Sequence, residues 1–201
     1  MSDDMAHPAT VHPLWLRLTH WINVLAVVVL VTSGWQIYDA SPIFAFRFPA
    51  AITLGGWLAG ALLWHFAAMW VLAANGLVYL ALNFASGRFG RRFLPLSPRA
   101  VMRDLAAALK GRLAHDDPWH YNAVQKFAYL FAVVDLLVLV LSGLVVWKSV
   151  QFPLLRELMG GYDNARVVHF FAMSAMVAFV AVHVAMALLV PKSLLLITRG
   201  R

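Results

Sequence analysis

Four long apolar runs, at about 18–38, 54–85, 124–148 and 165–190, constrain this 201-residue chain more than any other feature. Each reaches the roughly 20 residues that a helix needs to cross a bilayer. Backbone polar groups find no water in lipid, so such runs span as helices. The rest of the composition agrees: 62% of residues are hydrophobic and 12% are charged, against about 45–50% and about 25% in soluble domains. The expectation is an all-α membrane protein, a four-transmembrane-helix bundle forming one domain over residues 1–201. The second run is long enough to tilt or to project beyond the bilayer. Short links at about 39–53 and 149–164 and a long basic segment at about 86–121 join the runs, and Pro191 closes the last one. No internal repeat stands out.

The chain has no cysteine, which excludes disulfides, thiolate-bound zinc, iron–sulfur clusters and Cys-x-x-Cys-His haem attachment. Any cofactor must be held by His, Met, carboxylate or backbone groups. The net charge of +7 is read as basic cytoplasmic loops in so apolar a chain, with no nucleic-acid partner. Arg88, Arg91, Arg92, Arg99, Arg103, Lys110 and Arg112 lie in the long segment, with Lys192, Arg199 and Arg201 in the tail. Both termini and the long segment are therefore expected in the cytoplasm, and the short links on the periplasmic side. The polar, acidic start of the chain does not read as a removable signal peptide. Within the basic segment, residues 97–112 have the apolar spacing of a short surface helix.

Four of the eight histidines fall inside the runs, where ionisable side chains are costly and mark function. Their depths sort them. His20 comes early in an outward-running span and His183 late in an inward-running one, so both lie toward the cytoplasm. His65 and His169 both come early in inward-running spans and lie toward the periplasm. His169 and His183 are 14 residues apart, which leaves them on nearly the same helix face about 21 Å apart. Zinc calls for three or four ligands at one point, whereas haem takes two axial imidazoles. The pattern points to two b-type haems stacked between the helices, one held by His20 and His183, the other by His65 and His169.

Other residues fit that frame. Gly34 is 14 residues after His20 and Gly76 is 11 after His65, so each is nearly in phase with a ligand and lies at the depth of the other pair. They either give a porphyrin room to pass or serve ordinary helix packing. Arg17 and Lys126 at the cytoplasmic surface, and Arg166 at the periplasmic one, can pair with haem propionates or snorkel to lipid headgroups. Asp135, deep in the third run, either relays protons or hydrogen-bonds a neighbour.

The chain resembles the bacterial cytochrome b561 and nickel-hydrogenase cytochrome b superfamily, which includes the cytochrome b subunits of formate dehydrogenase and thiosulfate reductase. The resemblance rests on Arg17-Leu18-Thr19-His20-Trp21, a His in span two, Tyr121-Asn122-Ala123-Val124-Gln125-Lys126 and the 14-residue His pair of span four. It implies a multi-pass protein of the bacterial inner membrane. Such a protein exchanges electrons between quinone and a periplasmic redox enzyme of the molybdenum or hydrogenase type. Asn122 matches an Asn that lies beside the cytoplasmic haem, near quinone, in the formate dehydrogenase members; Val124 replaces the Gly of that motif.

The leading expectation is therefore an electron-transfer subunit with two haem b and quinone as substrate, the substrate-converting chemistry lying in another chain. The alternatives are a self-contained superoxide:quinone oxidoreductase similar to b561, and, from another class, a metal-ion transporter or a cofactor-free membrane anchor. The sequence leaves homo-oligomerisation open.

Overall fold

The computed structural model describes residues 12–87, 97–109 and 123–200. Seven α-helices and no strand occur among them: α1 (Leu14–Ala40), α2 (Leu58–Ala85), α3 (Pro98–Leu109), α4 (Ala123–Lys148), α5 (Pro153–Leu158), α6 (Tyr162–Leu189) and α7 (Pro191–Arg199). α1, α2, α4 and α6 are long and apolar enough to cross a membrane, so the protein is an all-α, four-helix membrane bundle. The surface helix expected over 97–112 is α3 within the described residues. Pro191 ends the last span as expected and also opens α7, since a proline at the first turn loses no helical hydrogen bond.

Two helix starts differ from the expected limits for a local reason. The second run was expected from about 54, but Gly55 and Gly56 adopt φ of +112° and +71° and hold the chain out of the helix until Leu58. A Cβ on Gly55 would run into the Ala61 backbone, so glycine is needed there. Gly160 and Gly161, at φ +75° and +102°, set the start of α6 at Tyr162 in the same way.

The helices pack as two hairpins, α1 against α2 and α4 against α6. Small side chains make the seams: Ala26, Ser33, Ala61 and Ala68 in the first hairpin, and Ser142, Ala165 and Ala172 in the second, are all buried. Close backbone approach through small residues is how helices associate where lipid removes the hydrophobic drive. Large apolar residues such as Leu25, Leu63, Leu77 and Val182 point outward, the expected inversion for a lipid-facing surface.

The hairpins repeat one another, although no repeat is visible along the chain. Arg17 and Lys126 are each the fourth residue of their helix, and Ser33–Gly34 and Ser142–Gly143 each occupy the twentieth and twenty-first positions of α1 and α4. His65 and His169 are each the eighth residue of α2 and α6. Around them, Ala61, His65, Phe66, Ala68 and Met69 match Ala165, His169, Phe170, Ala172 and Met173 position for position. The other two histidines break the repeat, because Tyr129 stands where His20 would recur and Tyr79 where His183 would.

Candidate functional site

The hairpins face each other through four histidines at two levels. We call these inner (His20, His183) and outer (His65, His169), after the expected orientation. The ring centroids of His20 and His183 are 6.2 Å apart at an interplanar angle of 57°. Those of His65 and His169 are 6.5 Å apart at 64°. Two metal–imidazole bonds of about 2.0 Å, with about 1.1 Å from each nitrogen to its ring centre, would put the centroids about 6.2 Å apart. Both pairs therefore fit axial ligation of one iron by two imidazoles, and the pairing is the one read from depth. No group of three or more His, Cys, Asp or Glu that could hold a metal ion occurs among the described residues. The donor set suits haem, which brings four nitrogens of its own.

The outer pair has a further layer of support that the sequence reading missed. Ser33 on α1 sits 3.1 Å from His65 Nδ1, and Ser142 on α4 sits 3.0 Å from His169 Nδ1. Each serine hydroxyl donates its single proton to the carbonyl four residues back, Val29 at 2.5 Å and Val138 at 2.6 Å. The serine oxygen is then left to accept from the imidazole, so Nδ1 carries the hydrogen and Nε2 keeps a free lone pair for a metal. The following glycine makes room for the ring. A Cβ on Gly34 would lie 3.5 Å from His65 Cε1, and one on Gly143 would lie 3.3 Å from His169 Cε1. The available signal was the Ser-Gly pair recurring in spans one and three.

At the inner level the support is different. Asn75 on α2 donates to the Thr19 carbonyl at 2.7 Å and to Asn23 Oδ1 at 2.6 Å, tying α2 to α1 beside His20. Phe179 stacks on His183 at 5.9 Å. A Cβ added to Gly76, next to Asn75, would meet nothing within 4 Å. Gly76 thus faces open space at the inner level, whereas Gly34 abuts an outer-level histidine.

The cations are placed variously. Arg17 donates through Nη2 to the Thr198 carbonyl at the end of α7, while its Nε has no hydrogen-bond partner. Arg166 reaches Ser41 at the end of α1, donating to its carbonyl at 2.5 Å. Lys126 lies in the first turn of α4. Asn122 is outside the described residues. Asp135 is 8% exposed, and its Oδ2 has no hydrogen-bond partner. It lies seven residues before Ser142, hence on the same face of α4 about 10 Å toward the inner level.

The sequence profile of prokaryotic cytochrome b561 matches residues 11–196. The chain belongs to the prokaryotic cytochrome b561 family. It is accordingly a multi-pass membrane electron-transfer subunit, of a family that binds b-type haem. A protein of Azospira oryzae is 65% identical over 190 residues, covering 94% of this chain and 96% of its own length. Its name makes it a candidate subunit, YedZ1, of a protein-methionine-sulfoxide reductase.

Proposed function

We propose that this cytochrome b561-family chain carries two haem b groups and passes electrons across the bacterial inner membrane, between quinone at the cytoplasmic side and a periplasmic oxidoreductase. His20 and His183 would hold the haem at the inner level, and His65 and His169 the one at the outer. Each haem, when bound, supplies a one-electron centre. The observation that carries this reading is the pair of imidazole–imidazole separations, 6.2 and 6.5 Å, one at each level. Fourteen residues of α6 separate the levels by about 21 Å, most of the roughly 30 Å hydrocarbon core.

The protein's own groups hold and insulate these centres. Open space at Gly76 leaves room for a porphyrin edge at the inner level. Lys126, in the first turn of α4, would pair with a propionate or meet quinone at the cytoplasmic surface, where Asn122 is the candidate quinone contact by resemblance. Arg17 and Arg166 close the two ends of the bundle by tying helices together, and each keeps N–H groups available to a propionate. Among the partner classes expected from the sequence, the relative's name favours a reductase of oxidised methionine. Reducing a sulfoxide to a thioether and water consumes two electrons and two protons, so electrons would run from quinol outward.

The test is a dithionite-reduced spectrum and a haem count on the purified chain. Two haem b per chain are expected. His65→Ala and His169→Ala should each abolish one and the same centre, and His20→Ala and His183→Ala the other. A haem-free chain, or loss of one shared centre in His20→Ala and His65→Ala, would refute the assignment.

A further inference from the structure

We propose that Ser33 and Ser142 are paired positioning residues that set the redox potential of the outer centre and leave the inner one untouched. The inference rests on the di-haem reading above.

It starts from an asymmetry. Both outer histidines present Nδ1 to a serine oxygen at 3.0–3.1 Å. No side-chain hydrogen bond among the described residues reaches the ring of His20 or His183, whose neighbours are the Trp21 and Phe179 rings. A hydrogen bond from the second ring nitrogen raises the donor strength of the ligating one. Here the acceptor is strengthened in turn, because each serine gives its own proton to a carbonyl at 2.5 or 2.6 Å and hydrogen-bonded chains polarise one another. A more basic ligand favours the more positive iron, so the two serines together hold the outer potential down.

The repeat of the hairpins adds a quantitative constraint. Ser33 and Ser142 hold equivalent positions in α1 and α4, as His65 and His169 do in α2 and α6. The outer centre lies where the two halves of the repeat meet and receives one serine from each. The two serines should therefore act equally. The histidines of the inner centre lie on α1 and α6, and their repeat-related positions are Tyr79 and Tyr129, so among the described residues the serine–histidine contact is found at the outer level only.

The experiment is a redox titration of the purified di-haem protein, with the outer centre identified as the one missing from His65→Ala. Ser33→Ala and Ser142→Ala should each raise the outer potential by a similar amount, the double variant by about their sum, and the inner potential should stay in place. Ser33→Thr and Ser142→Thr keep the hydroxyl and should return the potential toward the parent value. An unmoved outer potential, an equal shift of both centres, or an effect from one serine only would overturn the proposal. Should an alanine variant lose the outer haem, the threonine variants and Ser→Cys, a weaker acceptor of similar size, carry the comparison; Ser→Cys must then raise the potential. If the parent chain holds no pair of haems, the functional reading itself fails, which is a different result from two haems with unmoved potentials.

Discussion

A methyl group at Gly143 should weaken the outer centre, while the same methyl at Gly34 should be tolerated. Added Cβ atoms would lie 3.3 Å from His169 Cε1 and 3.6 Å from Nδ1 at the first position, and 3.5 and 3.8 Å from the same atoms of His65 at the second. Unstrained carbon contacts begin at about 3.5 Å. Gly34→Ala therefore meets its neighbour at contact distance, and Gly143→Ala requires His169 to give by about 0.2 Å. That ring is already held by Ser142 at 3.0 Å on one side and, with haem bound, would be held by its other nitrogen as well. Overpacking of this kind costs about 1 kcal/mol at its low end, or roughly a fivefold loss in outer-haem retention. The bundle itself should lose little, because alanine favours the helix interior over glycine by roughly 0.5–1 kcal/mol. Valine at either position adds branches within the volume of the ring and should abolish the outer centre. Gly76→Leu meets no protein atom that its Cβ would touch, and should weaken only the inner centre by intruding on the porphyrin. Haem per chain and the reduced spectrum after a fixed thermal challenge report each centre. The reasoning is refuted if Gly143→Val retains both haems, or if the Gly34 and Gly143 variants disturb the inner centre instead.

Three further outcomes follow from the same structure. Asn75→Ala should destabilise the inner centre by about 1–3 kcal/mol through loss of one buried and one half-buried hydrogen bond; Asn75→Asp should be worse, since a carboxylate would face two oxygen acceptors, and thermal loss of the inner-haem band measures both. Asp135→Leu should keep both haems and raise the thermal midpoint, because it removes a buried carboxyl oxygen with no hydrogen-bond partner; a lower midpoint would mean that the carboxyl has a stabilising partner. With no native cysteine in the chain, single-cysteine labelling reads topology directly. Ala45→Cys should react with a membrane-impermeant maleimide in intact spheroplasts and Ser97→Cys only after lysis, and the reverse pattern would invert the assigned orientation.

Much of this protein is legible along the chain, and the reason is the solvent. Lipid demands uninterrupted apolar helices of a set length, so four spans can be counted, and a histidine's place along its span is its depth. Depth alone pairs His20 with His183 and His65 with His169, as the ring separations do. What depth cannot supply is rotation and register between helices, which depend on how small residues let two backbones close together. Ser33 and Ser142 read as polar residues in apolar runs until packing lays each against the histidine of the other span in its hairpin. The repeat is illegible along the chain for the same reason: its halves lie more than 100 residues apart and share few identities, and only common helix origins bring Ser-Gly and His-Phe-x-Ala-Met into register. Arg17 is another case, since the chain end that takes its Nη2, the Thr198 carbonyl, is 181 residues away. The sequence by itself determined the number of spans and the two histidine levels, because hydrophobic length and depth are local properties. The tertiary structure alone decided which groups stand behind the histidines, because those contacts exist only once two hairpins have packed.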